Sequence, residues 1–150
     1  MKKLITIGSL VLMGFSSSFA NGGKDGLSKD VNYSFQHEFA NSKMISWVNS
    51  NGYIKVTFSQ DGVILYAYFD QNAELLAVSR NILSNQLPIS LMLNLKKDYR
   101  AYWITDLFQI DSHGDQAYYA SMENADYRIV IRSTDGFSWQ IFSREKKETE

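Results

Sequence analysis

Turn dipeptides constrain this chain more than any other feature. Asn51-Gly52, Asp61-Gly62, Gln71-Asn72, His113-Gly114, Asn124-Ala125-Asp126 and Asp135-Gly136 separate short runs rich in β-branched and aromatic residues. Asn-Gly and Asp-Gly tolerate the positive φ that tight hairpin turns demand. The runs between them read as strands: YIKVTFS, VILYAYF, ELLAVSR, YWITDLFQI, QAYYASME, YRIVIRS and FSWQIFSR, with a weaker KMISWVN ahead of the first turn. Strands this short and closely spaced pair as antiparallel meanders.

Two stretches have helical periodicity instead. Ser28 is placed to cap a helix whose Val31, Phe35 and Phe39 fall four apart on one face, ending near Asn41. Pro88, the single proline, suits the first turn of a second helix with Ile89, Leu91, Met92, Leu95 and Tyr99 as its apolar stripe. The order is therefore helix then four strands, twice over. Phe58 to Arg80 overlays Met122 to Arg144 at an offset of 64 without a gap, both segments ending in Ser-Arg. Trp47 overlays Trp103 at an offset of 56, the difference being assigned to a longer first hairpin in the second half. The expected architecture is α+β: two repeats of one helix plus a four-stranded antiparallel meander.

Alternate strand residues point to opposite faces. Val63, Leu65, Ala67 and Phe69, with Ile54, Val56 and Phe58, form apolar rows assigned to the helix-covered side; Tyr127, Ile129 and Ile131 are their counterparts. The opposite rows carry Ile64, Tyr66 and Tyr68 in one half and Arg128, Val130 and Arg132 in the other, joined by Lys55, Thr57, Tyr119 and Ser121. In the segment Tyr99 to Asp111, parity puts Tyr102, Ile104, Phe108 and Ile110 on one side and Trp103, Thr105, Leu107 and Gln109 on the other. Both sides are aromatic, so the faces of this strand stay unassigned.

The chain starts with the three-part pattern of an export signal: MKK, the apolar LITIGSLVLMGF, and SSSFA with small residues at Ser18 and Ala20. Cleavage after Ala20 is expected, with residues 21–27 a flexible lead-in and 28–147 the folded domain. The apolar run is too short for a membrane anchor. The chain has no cysteine, which excludes a lipoprotein, a disulfide framework and thiolate chemistry. Periplasmic or secreted localisation follows. Without Lys2 and Lys3 the 15 basic residues become 13 against 16 acidic ones, a net charge of −3 with no basic stripe. Nucleic acid is not an expected partner.

Catalytic and metal-binding patterns are missing. His37 beside Glu38 lacks the second half of H-E-x-x-H, so it reads as a solvated helix histidine. His113, between Asp111 and Asp115, fits polar turn chemistry better than an EF-hand loop. S143-R-E-K146 has the S-x-x-K spacing of penicillin-recognising enzymes without their other motifs, and reads as chance. Asn32-Tyr-Ser34 is a glycosylation sequon by pattern only. Asp106 interrupts an apolar strand and is expected to meet Arg128 or Arg132. No cofactor, metal or catalytic residue is assigned.

The segments FDQNAELLAVSR, LPISLMLNLKKDYRAYWITDLFQI and DGFSWQIFSR, and the spacing between them, resemble the β-lactamase-inhibitor-like, PepSY-like family from about Leu27 to Lys147. The resemblance implies a curved antiparallel sheet with helices on one side and an open concave face on the other. In the inhibitor that names the fold, that face grips a hydrolase; the family has no catalytic motif to transfer. The leading expectation is a non-catalytic binding module that presents its open face to a protein, an envelope hydrolase being one such partner. Its contacts would be Tyr66, Tyr68, Arg128 and Arg132, with Tyr119 and Lys55 at their edge. The alternative is a carrier or sensor of a small apolar ligand held between sheet and helices by residues such as Phe35, Phe39 and Trp103.

Overall fold

The computed structural model describes residues 21–22, 26–50 and 52–148, so the expected export signal lies outside the described residues. The chain divides into two compact units between Ala77 and Val78. The N-terminal unit holds β1 (Asn21–Gly22), α1 (Lys29–Glu38), β2 (Lys43–Ser50), β3 (Tyr53–Gln60), β4 (Val63–Phe69) and the start of β5 (Leu75–Asn81). The C-terminal unit holds the rest of β5, a 3-10 turn (Ser84–Gln86), α2 (Ile89–Asp98), β6 (Trp103–Ser112), β7 (Asp115–Glu123), β8 (Tyr127–Ser133) and β9 (Gln140–Lys146). The α+β class holds, and the strands paired within each unit are antiparallel neighbours in sequence. Asn21 and Gly22, expected in a lead-in, pair with Trp47 and Ser46.

Turn chemistry acts as the dipeptides require. Asp61 and Gly62 have φ of 51° and 78°, and His113 and Gly114 have 54° and 86°. Positive φ at both central residues is the primed hairpin turn, whose twist matches that of the strands. Asp135-Gly136 differs: residues 134–139 form a longer loop. There the Asp135 carboxylate accepts hydrogen bonds from Phe137 N, Ser138 N, Ser138 Oγ and Ser133 Oγ at 2.6–3.0 Å.

The helices are shorter than periodicity suggests. Ser28 Oγ accepts from Val31 N at 3.2 Å, capping α1 as expected. The helix stops at Glu38, leaving Phe39 as its non-helical cap. Pro88 stands one position earlier than expected, as the N-cap of α2. Ile89, expected in the apolar stripe, is 72% exposed, while Leu91 and Leu95 are buried. They pack on Leu107, Ala120, Met122, Ile129 and Ile131, so α2 covers one face of β6, β7 and β8. In the N-terminal unit, Phe35 of α1 meets Phe58 of β3 with ring centroids 5.2 Å apart.

Register within each unit allows pairing positions to be compared. Trp47 pairs with Val56, and Val56 with Ala67. Leu107 pairs with Ala120, and Ala120 with Ile131. Val56 and Ala120, and Ala67 and Ile131, are each 64 residues apart. For the helices and first strands the offset is 60, from α1 starting at Lys29 and α2 at Ile89. The extra four residues lengthen the β6–β7 hairpin. By pairing position, Leu107 in β6 stands where Trp47 stands in β2.

A bulge resolves the faces of β6. Pairing slips between Ile104 and Asp106, leaving Thr105 as the extra residue, and an equivalent slip lies between Met44 and Ser46. An extra residue reverses parity beyond it. Ile104 sits opposite Met122, on the α2 side, while Phe108 sits opposite Tyr119, on the other. The expectation that Ile104 and Phe108 share a face is therefore wrong. The aromatic crowding along Tyr99–Asp111 is one strand serving two faces across a bulge.

Candidate functional site

The strand face turned away from the helix carries a cation-and-aromatic set in each unit. In β3 and β4, Lys55 pairs with Tyr68 and Thr57 with Tyr66. The Lys55 ammonium lies 4.4 Å from the centroid of the Tyr66 ring and 6.0 Å from that of Tyr68. An ammonium over an aromatic face is attracted by the ring quadrupole. Tyr53 packs on Tyr68 at 5.9 Å, and Tyr68 is left only 9% exposed. Tyr66, half-buried, is the more accessible of the two expected tyrosines.

In the C-terminal unit, Phe108, Tyr119 and Arg132 lie side by side across β6, β7 and β8. The Phe108 and Tyr119 rings stack at 5.3 Å with their planes 5° apart. Phe142 of β9 meets Tyr119 edge-on at 5.8 Å, and the Arg132 guanidinium lies 5.1 Å from the Phe142 ring. Tyr119 is consequently only 2% exposed. It serves as the floor of the cluster and offers a partner almost no surface, contrary to its expected place at the contact edge. Phe142 takes its place beside Arg132. Sequence parity misses Phe142 because pairing slips between Val130 and Ile131, opposite β9.

Arg128 belongs to a separate corner. It pairs with Glu123, and its Nε lies 3.5 Å from Glu123 Oε2. Lys147 Nζ reaches the same oxygen at 3.2 Å, and Trp103 Nε1 donates to Glu123 Oε1 at 3.0 Å. Lys147, then Trp103, hold the Glu123 carboxyl below its ordinary range by hydrogen bonding. Trp103 is 52% exposed and shares the face of Arg128, because cross-strand partners point to the same side. Asp106 sits opposite Ser121, and Arg128 forms an ion pair with Glu123.

The residues expected to line an apolar ligand cleft fall in both units, Phe35 and Phe39 in the first and Trp103 in the second. Phe35, Phe39 and Phe58 touch one another, with centroids 4.6–5.4 Å apart, and fill the space beneath α1. Trp103 lies in the charged corner just described. His37 stacks on Tyr33 at 6.4 Å and pairs with Glu38 at 3.5 Å, a solvated helix arrangement. S143-R-E-K146 lies on strand β9 rather than at a helix start. Among the described residues no three His, Cys, Asp or Glu side chains are grouped to hold a metal. No described helix is long and apolar enough to cross a membrane.

No family model matches the chain, and no curated protein does. Solved structures do match in fold. A DUF2874 family protein from Bacteroides uniformis superposes with a TM-score of 0.68 at 12% identity, covering 79% of this chain and 88% of the other. A BLIP-like protein from Bacteroides fragilis gives 0.66 at 15% identity over 79% and 85%. A "putative periplasmic" protein from Bacteroides eggerthii gives 0.67 at 10% identity over 79% and 88%. At such identities the likeness is one of fold, and the fold is BLIP-like.

Proposed function

We propose that this chain is an exported, non-catalytic binding module that docks a protein through the strand faces its helices leave uncovered. The partner class favoured is an envelope hydrolase that the module restrains. The observation that carries the reading is the pair of cation-and-aromatic sets: Lys55 with Tyr66 in one unit, Arg132 with Phe142 over Tyr119 in the other. Tyr and Arg are enriched among residues that dominate binding energy, and rings already held by neighbours lose little side-chain freedom on contact. The BLIP-like fold supports protein binding in general, and the periplasmic description of one structural neighbour supports export. Correspondence at offsets of 60 and 64 supports an origin of the two units in one duplicated element.

Affinity capture from an envelope extract with the wild-type chain, beside a folded Tyr66→Ala/Arg132→Ala variant, tests the reading. A protein retained by the first and lost by the second is the expected result. Equal retention by both overturns the site, and retention by neither overturns the docking function.

A further inference from the structure

The C-terminal unit contains a cavity beside α2. Its volume is about 290 Å³, and Met92, Leu95, Tyr99, Tyr102, Ile104 and Met122 form its walls. Lys96, Arg100 and Ser84 stand at it as well. Leu95 and Met122 are buried among the core residues of α2, β6 and β7, so the floor is apolar. Lys96 and Arg100 are exposed, and neither has an ion-pair or hydrogen-bond partner among the described residues.

The cavity follows from three substitutions at corresponding positions. Phe35, Phe39 and Phe58 close the interface beneath α1, and offsets of 60, 60 and 64 place Leu95, Tyr99 and Met122 at those sites. Leucine and methionine fill less space than phenyl rings. Tyr99 instead packs against Tyr102 at 6.4 Å, at the side of the opening. At the neighbouring position the N-terminal unit has the neutral Gln36 where the C-terminal unit has Lys96, and Ala40 where it has Arg100. The positions that lose ring volume thus adjoin those that gain charge.

We propose that this cavity binds a small amphipathic anion, a medium-chain carboxylate whose alkyl end lies on Met92, Leu95, Ile104 and Met122 while Lys96 and Arg100 take its head group. A largely apolar concavity with a few convergent polar groups is the usual form of a small-molecule site, and this volume suits a ligand at the small end of that range. Unpaired cations beside an apolar floor match an anion with a hydrocarbon tail and reject a cation of the same shape. Burial, with Asp98 and Tyr102 beside it, raises the Tyr99 pKa, so its hydroxyl keeps its proton and remains a donor toward an anion. The site lies on the α2 side of β6 and β7, opposite the proposed docking face, so either proposal can fail alone.

Octanoate is the probe, with octanol as its uncharged control, read by NMR of chain labelled at the methionine methyls. Octanoate is expected to shift Met92 and Met122 and to leave Met44, in the N-terminal unit, unmoved. Octanol is expected to bind more weakly by about tenfold, the loss of one modest charge contact. The variant Lys96→Gln/Arg100→Gln changes only exposed side chains; it is expected to lower octanoate affinity to that of octanol and to leave octanol unchanged. No shift at Met92 and Met122 with millimolar octanoate overturns the proposal. So does octanoate binding that the double variant leaves intact.

Discussion

Beneath α1 three phenyl rings meet and close the core; beneath α2 the same three positions hold leucine, tyrosine and methionine and leave an opening. The strands behind them pair in corresponding register, bulge included. Backbone arrangement therefore does not decide whether a helix-on-sheet layer is a solid core or a cavity. Side-chain volume at a few positions decides it, because interiors are close-packed and a lost ring leaves space that neighbours fill only in part.

The largest expected effect breaks the filled side of this comparison. Phe58→Ala is expected to cost about 4 kcal/mol, since Phe58 touches both other rings and is fully buried, whereas Met122→Ala is expected to cost only about 2 kcal/mol beside space already open. Urea unfolding of both variants gives the two values. Equal costs would mean that the interface beneath α2 is as filled as its counterpart.

Helix ends supply the next contrast. α1 is capped by the Ser28 hydroxyl and α2 by Pro88, which makes no side-chain cap bond. Ser28→Ala is expected to lose about 1 kcal/mol in the same unfolding assay, and an unchanged midpoint would deny the cap any role. Restoring a ring is the sharper probe. Met122→Phe is expected to change stability by less than about 1 kcal/mol and to abolish the octanoate shift at Met92; overpacking of a filled core costs about 1–3 kcal/mol instead.

The loops also differ. Asp70 Oδ1 accepts from Asn72 N and Glu74 N, while Asp135 gathers two backbone and two serine donors. Those bonds, led by the Ser138 hydroxyl, hold the Asp135 carboxyl well below the usual carboxylate range. A depressed folded-state pKa contributes stability above the unfolded value of about 3.9, and that contribution is lost as pH falls through the folded value. Wild type is therefore expected to exceed Asp135→Asn in stability at neutral pH, with the gap narrowing below pH of about 3.9. Melting temperatures of both across acid pH check this, and a gap independent of pH contradicts it.

How far the sequence reaches can be read from β3, β4, β6 and β9. Strict alternation assigns Ile54, Val56, Phe58, Leu65, Ala67 and Phe69 to the helix side because β3 and β4 pair without a slip. Parity fails on β6, where the extra Thr105 has no composition of its own to mark it. The same kind of slip hides Phe142. Ser28 announces its cap because a hydroxyl before an apolar period has one local use; Ile89 misleads because period alone does not tell which edge of a stripe reaches the core. The Tyr/Arg rows are legible as rows. That Tyr119 is a floor rather than a contact depends on Phe108 and Phe142, which reach it from separate strands.

Hydroxyl-radical footprinting of the chain with and without the captured protein tests the docking claim most directly. The account predicts that Tyr66 and Phe142 lose labelling in the complex while Tyr33 on α1 and Phe137 in the β8–β9 loop, both well exposed, keep theirs. Protection of Tyr33 or Phe137 with Tyr66 and Phe142 unchanged would contradict it and move the interface off the strand faces.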